Sequence, residues 1–143
     1  MSISHSASCV IIDGRAVLIE GPPGSGKSSL ALALIDRGAT LVGDDGVILE
    51  QRDGHLWASP PPAIAGLLEV RNVGLVEFPT ADGPVGLVLR LDPAAPRYVE
   101  EADREVMLGA EVPVITLYPD SPALFLRAEW AVRKHASSDT AAR

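Results

Sequence analysis

Residues Gly21-Pro22-Pro23-Gly24-Ser25-Gly26-Lys27-Ser28 form a glycine-rich loop that ends in Lys-Ser. Its glycines let backbone amides converge on phosphate oxygens, which side chains would block. Such a loop works only between a strand and a helix, because the helix N-terminus adds a dipole that favours anions. The flanks agree: Arg15 to Glu20 reads as a strand, and from Ser28 to Arg37 the apolar residues Leu30, Ala31, Leu34 and Ile35 fall on one helical face. An incidental Gly/Pro turn would not carry both the spacing and the flanks. Gly21 to Ser28, with Ser29 in the first turn, are therefore expected to contact a nucleoside triphosphate. Lys27 would place a point charge at the β- and γ-phosphates, and Ser28 a hydroxyl on Mg²⁺. Pro22 and Pro23 stand at free positions and stiffen the loop.

The rest of the chain reads as mixed α/β. Asp13-Gly14 joins the apolar run 9–13 to the strand 15–20 as a hairpin, and Arg52-Asp53-Gly54 joins strands Val47–Gln51 and His55–Ser59. Gly38 is the expected left-handed cap of the first helix. Thr40 to Gly43 is a short strand, and Pro60-Pro61-Pro62 a stiff loop. Ala63 to Leu68 reads as a helical turn, Gly74 to Phe78, Pro84 to Leu91 and Val112 to Tyr118 as strands, and 92–104 as a mobile loop. Pro122 opens a second helix whose stripe is Leu124, Phe125, Ala128, Ala131 and Val132. Repeated hairpins argue against a wholly parallel sheet. The expected layout is one domain over residues 1–136 and a frayed tail over 137–143.

Composition excludes several classes. The 143 residues carry 19 Asp+Glu against 12 Lys+Arg, a net charge of −7, which argues against a nucleic-acid backbone binder. The single cysteine, Cys9, lies in an apolar run and reads as a small buried hydrophobe in a chain of the reducing cytoplasm. No secretory signal or membrane span is read, and no His/Cys set has zinc spacing. His55 and His135 read as surface or helix-end residues.

Asp44-Asp45 ends the apolar strand that follows the first helix. A carboxylate there can hold Mg²⁺, directly or through water, or take a proton from an attacking hydroxyl. Glu69 and Arg71 alternate with Leu68 and Val70, so both side chains are expected on one strand face; the spacing alone supports no more than a surface ion pair.

Taken in order, the strand pair 9–20, Gly21 to Ser28, Leu41-Val42-Gly43-Asp44-Asp45-Gly46-Val47 and Glu69-Val70-Arg71-Asn72-Val73-Gly74 resemble the catalytic domain of HPr kinase/phosphorylase. That family phosphorylates a serine of HPr, the small phosphocarrier of the bacterial sugar phosphotransferase system. The resemblance spans roughly residues 6–136. It implies a strongly bent mixed sheet with a nucleotide site like that of phosphoenolpyruvate carboxykinase, in a short form without the family's N-terminal domain. It further implies that Lys27 contacts phosphate and that Ser28, Glu69 and Asp45 lie on the metal side. Asp45, with Asp44 beside it, would be the base toward the acceptor serine. Arg71 would share that catalytic segment, and Arg97 would be a downstream catalytic arginine. Three departures stand out. The family's histidine before the first strand falls at Ser6, with His5 one residue earlier. Asn72 replaces a glycine. Tyr118-Pro119-Asp120-Ser121-Pro122 has no arginine where the family has one tied to dephosphorylation.

The resulting expectation is a cytoplasmic, ATP- and Mg²⁺-dependent serine kinase acting on an HPr-type protein in the regulation of carbohydrate metabolism. Its phosphorylase half is open. Family members form hexamers, so self-association is a further expectation. The alternatives are a small-molecule kinase and a non-catalytic ATP sensor.

Overall fold

Asp13 and Gly14 both take positive φ, 52° and 77°. This is the type I′ geometry that matches strand twist, and it folds β2 (Ser8–Ile12) back on β3 (Arg15–Glu20). Asp53 and Gly54 repeat it between β5 (Val47–Arg52) and β6 (His55–Ser59). The computed structural model in which these turns are seen describes residues 1–137. In chain order the other strands are β1 (Ser2–His5), β4 (Thr40–Gly43), β7 (Leu67–Val70), β8 (Gly74–Glu77), β9 (Gly83–Leu91), β10 (Asp103–Met107) and β11 (Ala110–Leu117). The two α-helices among the described residues are α1 (Lys27–Asp36) and α2 (Leu124–His135).

Nine strands form one mixed sheet in the order β1-β5-β6-β9-β3-β2-β4, and β11 joins β9 with β10 outside it. Strand β9 is the branch point. Gly83 and Pro84 pair with β6, whereas Val85 to Arg90 lie parallel to β3 and Val88 to Leu91 parallel to β11. The register slips by one residue at Gly86, since Ala16 faces Val85 but Val17 faces Leu87. This bulge moves Val85 to the face of Val88 and leaves Leu87, Leu89 and Leu91 on the other. A Cβ at Gly86 would lie 2.9 Å from Arg15 Cδ, so only glycine fits without a shift.

Apolar side chains pack on both faces of the sheet. Val17 and Ile19 of β3 meet Leu30 and Leu34 of α1 and Ala128 and Val132 of α2. Ala16 and Leu18 point the other way, toward Leu49, Leu56 and Val112. A strand covered on both sides reads as a continuous apolar run, which is why Ala16 to Ile19 does not alternate. Cys9 is fully buried, and burial pushes its thiol pKa far up, in keeping with a packing role.

The structure differs from the sequence reading in five places. Strand β1 lies outside the elements read from sequence; it pairs only with β5, at the sheet edge. Residues 63–68 are not a helical turn: a 3-10 turn covers Pro62–Ile64 and β7 starts at Leu67. Strand β7 ends at Val70, so Arg71 lies in the turn to β8, where Asn72 has φ 69°, and Glu69 and Arg71 do not share a strand face. The loop after β9 ends at β10, whose hairpin to β11 turns through Leu108 and Gly109 at φ 49° and 80°. Leucine rarely adopts that conformation, so Leu108 gives no turn signal and Gly109 alone marks the hairpin. Pro122 precedes the second helix without opening it; Ser121 Oγ accepts from Ala123 N–H and the helix begins at Leu124. The expected tail lies outside the described residues beyond Ser137, whose N–H bonds Gly86 O at 2.9 Å.

Candidate active site

The loop after β3 is shaped by its glycines and by one tight turn. Gly24 and Gly26 have φ of 80° and 101°, and Ser25 N–H bonds Pro22 O at 3.1 Å. Gly26 stands at the N-cap of α1 with no side chain capping the helix, which leaves the first-turn amides open to an anion. A Cβ on Gly21 would lie 2.6 Å from Ser25 Oγ and 3.2 Å from Leu91 Cβ, so the loop needs glycine here for close packing. Ser25 Oγ is buried and has no hydrogen-bond partner among the described residues. Lys27 Nζ folds back over the loop and donates to Gly21 O at 2.7 Å and Pro22 O at 3.3 Å. Ser29 is exposed in the first turn of α1.

Asp44 joins this loop to two other elements. Its Oδ1 accepts the Ser28 hydroxyl at 2.6 Å and the Ser8 hydroxyl at 3.1 Å, and its Oδ2 accepts Glu69 N–H at 3.3 Å. Donors from β2, α1 and β7 thus converge on one carboxylate. Asp45 behaves differently. It has φ 61°, which turns the chain at the end of β4, and its exposed side chain has no hydrogen bond or ion pair among the described residues. Glu69 reaches the site through its backbone, and its side chain is exposed. Arg71 in the β7–β8 turn and Arg97 in the loop after β9 are exposed. The structure therefore brings Lys27, Ser28, Asp44 and the Glu69 backbone together and leaves Asp45 beside them. Among the described residues, Arg97 and Arg71 make no hydrogen bond or ion pair with them.

A second group flanks the start of the loop. His5 Nε2 lies 2.7 Å from Glu20 Oε2, Arg90 donates to Glu20 Oε1 at 2.7 Å, and its other nitrogen meets Glu105 at 2.7 Å. Burial acts to raise the Glu20 pKa, but the hydrogen bonds from His5 and Arg90 outweigh it, and the carboxyl lies below its ordinary range. Hydrogen bonds to Glu105 and then Glu20 hold the Arg90 guanidinium well above its ordinary value. His5, Glu20 and Arg90 line a cavity of about 480 Å³ together with Gly21, Pro22 and Asp92. Sequence reasoning missed Glu20, Arg90 and Ser8. The available signals were a glutamate closing an apolar strand directly before Gly21, and a serine inside the apolar run that begins at Ala7.

Among the described residues no three His, Cys, Asp or Glu side chains cluster as a metal cage. The donor set suits Mg²⁺ all the same, because that ion takes one or two protein oxygens and completes its shell with phosphates and water. Ser28 and Asp44 offer such oxygens, and the Ser28 hydroxyl, by donating its proton to Asp44, keeps lone pairs free.

The family model described as "HPr Serine kinase C-terminal domain" matches residues 1–85, more than half of the chain. The chain belongs to the HPr serine kinase C-terminal domain family. Among relatives in that family, the HPr kinase/phosphorylase of Clostridium tetani is 38% identical over 93 residues, which is 58% of this chain and 30% of the relative. That of Brevibacillus brevis is 37% identical over 120 residues, 74% of this chain and 39% of the relative. The chain thus spans well under half the length of these curated relatives. The solved HPr(Ser) kinase/phosphatase of Coxiella burnetii superposes with a TM-score of 0.81 at 32% identity, covering 92% of this chain and 88% of that one. The expected mixed α/β architecture is therefore shared with a solved HPr(Ser) kinase/phosphatase, and its resemblance to the family extends past β9 to the second helix.

Proposed function

We propose that this chain transfers the γ-phosphoryl group of ATP to a serine hydroxyl of an HPr-type phosphocarrier, in the cytoplasm. The observation that carries the reading is the joint placement of Lys27, Ser28 and Asp44 on the glycine loop, in a chain whose relatives are named HPr kinase/phosphorylase. Phosphate oxygens would replace Gly21 O and Pro22 O as the partners of Lys27. Ser25 Oγ and the first-turn amides of α1 are further donors facing the loop. Ser28 and Asp44 would hold Mg²⁺, which screens the charge of the transferring phosphoryl group. The nucleotide pose is that of the phosphoenolpyruvate-carboxykinase type, as the resemblance implies.

Asp45, exposed and unbonded among the described residues, is the carboxylate free to accept the acceptor proton. Asp44 has each oxygen already committed to a donor. Glu69 is held next to Asp44 by its amide and would add a metal oxygen; Arg71 and Arg97 would act from their loops once an acceptor is docked. The residues brought together carry the kinase direction; Tyr118 to Pro122 bears no arginine where the resemblance places one tied to dephosphorylation, and the reverse activity stays open.

The test incubates purified protein with ATP, Mg²⁺ and the HPr-type proteins of the same organism, and reads phosphoserine by mass spectrometry. One phosphoserine on one of them is expected. Absence of transfer to any of them overturns the substrate assignment, and transfer to an added small-molecule hydroxyl in their place would favour a small-molecule kinase.

A further inference from the structure

Ser8 is the one buried polar residue among the described residues, fully enclosed between Ala7, Cys9 and Val10, which are equally inaccessible. A hydroxyl at such a position carries a desolvation cost that an apolar residue would avoid, unless a partner compensates. The partner is Asp44 Oδ1 at 3.1 Å, the same oxygen that receives Ser28 at 2.6 Å. Ser8 sits at the start of β2, paired with Ile19 one residue before Glu20 and the glycine loop, so its backbone is held by the central sheet. Asp44, by contrast, is at the open end of β4, directly before the left-handed Asp45. A carboxylate at a strand end has rotamer freedom, and a buried donor on a neighbouring strand removes it.

We propose that Ser8 is a positioning residue of the nucleotide–metal site. Its hydroxyl pins Asp44 Oδ1 where the carboxylate accepts the Ser28 hydrogen bond and leaves the Ser28 lone pairs to the metal. The inference rests on the reading of the loop as a Mg²⁺-nucleotide site and goes beyond it by naming a residue outside the loop. The three donors on Asp44 have separate effects: Ser28 is on the ligand side, Glu69 N–H ties β7 to the site, and Ser8 alone anchors the group to the core.

The experiment measures the affinity of a fluorescent ADP analogue with Mg²⁺ and with EDTA, in the wild type and in Ser8→Ala, Asp44→Asn and the double variant. Its readout is the ratio of the two affinities. Ser8→Ala is expected to reduce that ratio about 10- to 100-fold, the effect of one hydrogen bond to a charged group, with the EDTA affinity within about twofold. In the Asp44→Asn background the same change should have no further effect, because Ser8 acts through Asp44. An unchanged ratio in Ser8→Ala, or an equal loss in both conditions, overturns the proposal. If Ser8→Ala fails to fold, Ser8→Cys takes its place, since a thiol is of similar size and a weak donor. If the wild type binds no nucleotide, the loop reading fails on its own. The crystal structure of Ser8→Ala then decides for Ser8: Asp44 Oδ1 still at 2.6 Å from Ser28 Oγ overturns it, and a displaced carboxylate supports it.

Discussion

Replacing each of the adjacent aspartates by asparagine should separate two roles. In Asp44→Asn the side chain keeps one oxygen and gains an NH₂. With the oxygen toward Ser8 and Ser28, the NH₂ faces the Glu69 N–H, donor against donor; flipped, it faces two hydroxyls that must turn to accept. Hydrogen bonds to a charged acceptor contribute about 1.5–3 kcal/mol and neutral ones about 0.5–1.5. Three weakened bonds at a half-buried site, partly compensated by hydroxyl rotation, should cost about 1–2 kcal/mol. For a domain of this size that lowers Tm by about 3–8 °C. Mg²⁺-dependent nucleotide binding should fall with it. Asp45→Asn should leave Tm and binding unchanged, since Asp45 has no partner among the described residues and asparagine tolerates positive φ at least as well. Its phosphotransfer rate should drop about 10²–10⁴-fold, the usual contribution of a general base. Thermal denaturation, nucleotide titration and single-turnover transfer measure the three quantities. The reasoning is refuted if Asp44→Asn is neutral in both Tm and binding, or if Asp45→Asn retains full transfer.

Other outcomes follow from the same geometry. Lys27→Met should weaken nucleotide binding about 10- to 100-fold by removing charge-assisted bonds, with little change in Tm, because its partners here are the partly exposed carbonyls of Gly21 and Pro22; equilibrium titration and calorimetry check both. Gly21→Ala places a Cβ 2.6 Å from Ser25 Oγ and 3.2 Å from Leu91 Cβ, and should cost about 1–3 kcal/mol by overpacking in chemical denaturation. Glu20 has a lowered folded pKa, so its stabilisation is fully present above its unfolded value of about 4.3 and is lost as pH falls through the lower folded value. Glu20→Gln should therefore flatten the acid limb of the stability curve below about pH 4.3. An acid limb identical to wild type would show that the pairing of Glu20 with His5 and Arg90 contributes nothing.

Elements framed by strong local chemistry were legible. Asp-Gly at 13–14 and 53–54 specifies its hairpins, Gly38 with φ 112° ends α1, and Leu30, Ala31 and Leu34 mark its buried face. The elements that were not legible depend on distant partners. Strand β1 is polar and exposed along most of its length and exists because β5 offers it a free edge. Strand β10 is formed by a turn through Leu108, which no propensity rule selects. Gly86 looks like a weak point in an apolar strand, and its use becomes visible only when Arg15 of the neighbouring strand is seen to occupy the space of a Cβ.

The site shows the same division in its acidic pair. Spacing after a glycine loop announces that a carboxylate is needed at the end of the next strand, but it cannot say which of two neighbours turns inward. That choice is made by the backbone. Asp44 still follows the direction of β4 and meets Ser28 and Ser8, whereas the positive φ of Asp45 redirects the chain and leaves its side chain in solvent. A carboxylate with its oxygens committed to donors is suited to hold a hydroxyl and a cation in place. One with no donor is suited to exchange a proton. Two chemically identical residues are placed differently because one backbone torsion has opposite sign, and the buried serine bonded to Asp44 lies 36 positions away in the chain. No window of sequence around Asp44 could have contained it.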